Sequence, residues 1–172
     1  GKWLGAQDNE LTARNIESGV SNTELVVNGD FNNGTTGWSL AANATVTLVD
    51  SFQGRTNVLK SNNISTIGVS TSQTIVGLTA GKVYRLECWI YSPSINTQVC
   101  AGMVYPTELT STYRGSVYSE DSWTKVTRYF TASGSTTSLS LNTVTLALGI
   151  SVGDVSYFDS ISIREVTSTT TS

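Results

Sequence analysis

Apolar and polar residues alternate along most of this chain, with the period of a strand and not of a helix. The alternation runs through residues 44–49, 67–76, 83–90, 99–105, 123–130, 138–148 and 155–163. Successive side chains on an extended strand point to opposite faces, so each run offers one face to a core and one to water. Turn signals separate the runs: Asn32-Asn33-Gly34, Gly54, Gly77, Ala80-Gly81, Ser92-Pro93-Ser94, Gly134 and Gly153-Asp154. The segment Glu24-Leu25-Val26-Val27-Asn28-Gly29-Asp30-Phe31 also reads as a strand. About eight or nine short strands at this spacing predict an all-β fold, a two-sheet antiparallel β-sandwich of jelly-roll type.

Residues 83–91 give the clearest face assignment. Tyr84, Leu86, Cys88 and Ile90 fall on one side and are the predicted core; Arg85, Glu87, Trp89 and Tyr91 fall on the other. Two aromatics beside an acid and a base form an unusual surface unless something covers them. A turn around Pro93-Ser94 would fold residues 99–105 back onto this strand and set Cys88 opposite Cys100. That register would permit a disulfide without implying one; the other reading is two small buried hydrophobes.

Both ends depart from the pattern. Residues 1–23 carry Lys2, Asp8, Glu10, Arg14 and Glu17 without alternation and read as a linker, or as an arm that docks on a neighbour through Trp3 and Leu4. Residues 167–172 are a Ser/Thr-rich tail, which leaves 24–166 for the sandwich. The chain begins at Gly1 with no leader in view, as expected of a processed product or of one piece of a longer protein.

Composition removes several functions. Charged residues are only 13% of the chain, the net charge is −3 and nothing basic is clustered, so no nucleic-acid partner is expected. The sequence has no apolar run long enough to span a membrane as a helix. It has no histidine, which excludes Ser-His-Asp and Cys-His catalysis and the commonest zinc ligand. Its glycines mark turns and do not build a phosphate loop. Paired carboxylates would be the remaining catalytic device, with Glu87, Glu108, Glu120, Asp121, Asp154 and Asp159 as candidates. No motif singles one out, and the chain is not expected to be an enzyme.

Binding suits the residues better. Sugar rings present apolar faces to flat aromatics, and their hydroxyls take paired hydrogen bonds from charged groups. Trp89 and Tyr91 with Arg85 and Glu87 supply such a set on one strand face. Tyr105, on the strand expected to be its partner, would extend it. So would Tyr113, in the non-alternating segment 106–122 that reads as a rim loop. The competing reading buries these aromatics under that loop or against another subunit.

The order of four motifs resembles the jelly-roll carbohydrate-binding modules appended to bacterial xylanases and endoglucanases, a fold also found in phage tail and virion proteins. They are Leu25-Val26-Val27-Asn28-Gly29-Asp30-Phe31 with Gly37-Trp38, Leu78-Thr79-Ala80-Gly81-Lys82-Val83-Tyr84-Arg85-Leu86, Trp123-Thr124-Lys125-Val126 with Phe130-Thr131, and Tyr157-Phe158-Asp159-Ser160-Ile161-Ser162-Ile163. The resemblance covers residues 24–166. It implies that Trp38 and Trp123 are core residues. It also implies a structural calcium joining the first strand to the last, with ligands at Asn32 and Asp159; Ser160 stands where the family carries a second Asp. The implied function is a non-catalytic module that attaches a larger protein or particle to a polysaccharide or cell-surface glycan, outside the cell or on a virion. The alternative is a structural module of a virion or secreted assembly, packing on neighbouring subunits through its arm and exposed sheet.

Overall fold

A computed structural model describes residues 19–67, 69–94, 100–118, 120–145 and 150–167. The expected arm, except for residues 19–23, and the tail beyond Thr167 lie outside the described residues. The alternating runs become strands, and two others join them: β1 (Ala44–Phe52), β2 (Arg55–Asn63), β3 (Thr71–Val76), β4 (Val83–Tyr91), β5 (Cys100–Pro106), β6 (Gly115–Tyr118), β7 (Trp123–Thr131), β8 (Thr136–Thr145) and β9 (Val155–Glu165). Alternation does not mark β2 and β6. They form two antiparallel sheets, one in the order β1-β2-β9-β4-β7 and the other in the order β3-β8-β5-β6. Tyr84, Leu86, Cys88 and Ile90 are buried, as their alternation predicts, and meet Ile75, Val104, Leu139 and Leu141 of the other sheet.

Three local features depart from the sequence reading. β2 lacks apolar alternation because only Leu59 of its core-facing side is large, while Ser61 and Asn63 are buried polar groups. Asn63 is accommodated by donating from Nδ2 to the Thr143 carbonyl at 2.8 Å. Residues 106–122 contain β6 and a 3-10 turn at Ser111–Tyr113 as well as loop. Residues 24–31 are not a strand: Asn28 and Phe31 have φ of 53° and 56°, which an extended ladder cannot hold. This segment instead lies along β9, with Leu25 N–H donating to the Ile163 carbonyl and Ile161 N–H to the Gly29 carbonyl. Residues 19–23 continue it, since Val20 bridges Val166.

The β4–β5 hairpin does not form. β4 is flanked by β7 and β9, and β5 lies in the other sheet between β6 and β8. Cys88 and Cys100 are therefore not cross-strand partners, and both are buried thiols outside any disulfide. Burial pushes the Cys100 thiol up to about 11, and its hydrogen bond to the Asp154 carboxylate, 3.1 Å away, adds to the rise. Burial also raises Cys88, so both are inert thiols.

The segment after β5 is pinned by Glu108, which accepts hydrogen bonds from Ser133 N–H and Oγ, both at 3.0 Å, and from Thr137 Oγ1. Burial alone would raise this carboxyl, but those bonds outweigh it and hold it below its ordinary 4.5. A depressed folded value means stability that is present above the unfolded value and lost as pH falls through the folded one. Glu108→Gln is expected to cost about 1–2 kcal/mol near neutral pH. The gap to wild type should close in acid, once the pH has fallen through that lowered value, because protonated Glu and Gln are then alike. Urea unfolding at neutral and at acid pH measures it; an equal gap at both would refute the assignment.

Candidate functional site

The outer face of the five-stranded sheet is built by register. Tyr91, Trp89, Glu87 and Arg85 of β4 stand opposite Trp123, Lys125, Thr127 and Tyr129 of β7. On the other flank they meet Tyr157, Asp159, Ser162 and Arg164 of β9. That second row is in phase only because β9 carries a bulge between Asp159 and Ser162, where Ser160 has a φ of 52°. The extra residue lets Phe158, Ile161 and Ile163 all reach the core while Asp159, Ser162 and Arg164 share the outer face.

One end of this face is a closed aromatic cluster. Phe52 stacks on Tyr157 at 3.8 Å, and Tyr91 meets Phe52, Trp123 and Tyr157 edge-on at 4.9, 5.7 and 5.9 Å. Tyr91 is thus only 8% exposed and is cover for the sheet, not a free platform. Trp123 packs in this outer cluster and not in the main core, its Nε1 donating to the Gln53 carbonyl at 3.1 Å. Trp38 does lie in the main core beside Phe31.

The other end is a groove of about 490 Å³ lined by Trp89, Glu87, Lys125, Ser162, Arg164 and Glu24, together with residues 28–30. Glu87 holds Lys125 Nζ at 3.0 Å and Arg85 Nη2 at 3.3 Å. Glu24 fixes the opposite wall, accepting from Ser162 Oγ at 2.6 Å, Ile163 N–H at 2.8 Å and Arg164 Nε at 3.3 Å. Arg55, entering from β2, lies over the Trp89 ring at 4.3 Å and over Trp123 at 5.3 Å. Glu24 and Glu87 each have a cationic neighbour, and Asp30, which also lines the groove, is held by Asn32, so the groove offers oriented polar groups without a strong net field.

Of the residues singled out from sequence, Arg85, Glu87 and Trp89 come together. Tyr105 does not join them: it belongs to β5 in the other sheet, where Arg114 stacks on it at 3.8 Å. Tyr113 is exposed in the 3-10 turn before β6, on that same sheet. Sequence reasoning missed Arg55, Lys125, Glu24 and Arg164, which reach the site through strand partners that local pattern does not reveal. The bulge had a readable signal, since the apolar step from Phe158 to Ile161 breaks the period of two.

The two expected calcium ligands are engaged by nitrogen donors. Arg55 Nη1 lies 2.9 Å from Asp159 Oδ2, and Ser160 N–H donates to Asp159 Oδ1 at 2.8 Å. Asn57 Nδ2 donates to Asn32 Oδ1 at 2.8 Å, and Asn32 donates in turn to both oxygens of Asp30. Burial pushes the Asp159 carboxyl up, while Arg55 and the Ser160 amide act against the rise. Calcium needs six to eight oxygens, about, turned toward it. Oxygens already committed to N–H donors, beside a guanidinium, do not fit that ion.

A two-sheet sandwich with an aromatic, ion-paired groove on one open sheet face defines a lectin-like binding module. Residues 23–147 match the carbohydrate binding domain family, and the chain belongs to it. It is a carbohydrate-binding module, in a family that is non-catalytic. Among solved structures it is similar to the CBM22-1 xylan-binding domain of Xyn10C from Paenibacillus barcinonensis, at a TM-score of 0.59 and 16% identity, covering 85% of this chain and 96% of that one. It is also similar to the C-terminal family 22 carbohydrate binding module of Clostridium thermocellum Xyn10B, at 0.59 and 11%, covering 89% and 98%. A third similarity is to the enzymatically active domain of tailspike protein 4 of bacteriophage CBA120, at 0.55 and 12%, covering 83% of this chain and 21% of that one. No curated protein matches the chain.

Proposed function

We propose that this module attaches a larger protein or particle to a polysaccharide through the outer face of its five-stranded sheet. The observation that carries this reading is the placement of Trp89 and the Glu87–Lys125 pair along one open groove. In that reading the Trp89 ring receives the apolar face of a pyranose, and Glu87, held between Arg85 and Lys125, accepts from its hydroxyls. Because Glu24 and Glu87 are already paired with cations and Asp30 is held by Asn32, a neutral polysaccharide suits the groove better than a charged one. Similarity to xylan-binding domains supports xylan as the first ligand to try. Such surfaces are met outside the cell, so we place the module there, secreted or on a virion. Affinity per site would be modest and raised by repetition along the polymer.

Affinity electrophoresis through gels containing xylan, a mixed-linkage glucan or hydroxyethyl cellulose, with a polyuronate as the charged arm, tests it. Retardation by at least one neutral polymer is expected. Free migration through all of them, or retardation by the polyuronate alone, would sink the proposal.

A further inference from the structure

Arg55 is placed by a two-residue hairpin turn: Phe52 pairs with Arg55, and the intervening Gln53 and Gly54 have φ of 48° and 84°. That turn aims the side chain across β2 onto β9. Its guanidinium lies 2.9 Å from the Asp159 carboxylate, which is 5% exposed, and spans the rings of Trp89 and Trp123. Two residues on, Asn57 reaches the loop after Phe31 by donating to Asn32, whose amides bind both oxygens of Asp30. One strand start thereby ties together three pieces of chain far apart in sequence: the loop at residues 30–32, the β1–β2 hairpin and β9.

We propose that Arg55 is a tethered cation doing the joining work of a structural metal, so that the module holds its shape and its two tryptophans without a divalent ion. The physical reason is local neutralisation. Asp159 is buried and requires a positive partner. A guanidinium on the same polypeptide meets that need without drawing on free ion, and its planar faces also cover aromatic rings, which a hydrated metal does not. The inference stands on Arg55 and its neighbours and does not depend on whether a glycan binds the groove.

The test is melting of the wild-type chain after exhaustive EDTA treatment and again with excess calcium. The two melting temperatures are expected to agree within about 1 °C, and Arg55→Gln should melt at least about 5 °C lower in both buffers. A terbium titration gives a second readout, because a lanthanide bound at Asp159 would sit beside Trp89 and Trp123 and emit on tryptophan excitation. No saturable emission sensitive to Asp159→Asn is expected from wild type. A wild-type melting temperature that falls in EDTA and recovers with calcium would overturn the proposal. So would saturable emission abolished by Asp159→Asn, or Arg55→Gln melting like wild type. If Arg55→Gln fails to fold, the two wild-type measurements still decide.

Discussion

Gly29→Ala is expected to lower the melting temperature by about 10 °C or more. A Cβ at Gly29 would stand 2.0 Å from the Ile161 carbonyl oxygen and 3.0 Å from its carbon, both backbone atoms. Neither side can retreat. Ile161 belongs to β9, which is held between β2 and β4, and its own N–H donates to the Gly29 carbonyl at 2.9 Å. Two residues on, Phe31 is 1% exposed in the core. Relieving the clash therefore means lifting the segment off β9 and partly withdrawing Phe31, at about 3–5 kcal/mol. In a domain of this size each kcal/mol moves the midpoint by about 2–4 °C. Gly134→Ala is the control, since nothing lies within 4 Å of its new methyl group, and it should stay within about 0.5 kcal/mol of wild type. Thermal unfolding of the two variants in parallel checks this; equal midpoints would show that residues 24–31 do not lie on β9 as described.

The second large effect concerns binding. Trp89→Ala should weaken retention by the preferred polysaccharide about 30-fold or more, the cost of losing a central aromatic contact. Tyr91→Phe should leave it unchanged, because that ring is enclosed by Phe52, Trp123 and Tyr157. The contrast separates a contact from a support. Trp89 borders the groove, although Arg55 lies over one of its faces, and its loss should cost only a few degrees of melting temperature, about 1–2 kcal/mol. Calorimetric titration with the polymer, together with a melting curve for each variant, would measure both. A folded Trp89→Ala that binds like wild type would remove Trp89 from the site.

How much of this was legible beforehand follows from the kind of information each element carries. β4 was readable residue by residue, since a strand buried on one face writes its burial directly into alternation. β2 was not, because its inward positions include the polar Ser61 and Asn63, and Asn63 finds its partner on β8. The opening motif Asn28-Gly29-Asp30-Phe31 carries a family resemblance but no sign in its pattern that the backbone is not extended. Its left-handed residues serve a segment bonded to β9 partly through side chains such as Glu24, and apolar content alone made it look extended. Trp123 matched a family motif and was expected in the core, yet it packs on the outer face.

The candidate site divides in the same way. Arg85, Glu87 and Trp89 share a face by the period of two and could be grouped from sequence alone. Lys125, Arg164 and Arg55 could not, because their presence depends on β7, β9 and β2 arriving in one sheet in a particular register. Tyr105 marks the opposite failure. Proximity in sequence suggested a hairpin, but β5 crosses to the other sheet and takes Tyr105 with it.

By itself, then, the sequence determined the all-β class, the core face of β4 and the absence of histidine chemistry, because these depend on local periodicity and on which side chains exist. Only the tertiary structure decided which strands are neighbours, where β9 bulges, and that a guanidinium meets Asp159 where a metal was expected. Strand pairing joins residues as far apart as Arg55 and Asp159, and a period of two records which way a side chain points without recording what it will meet there.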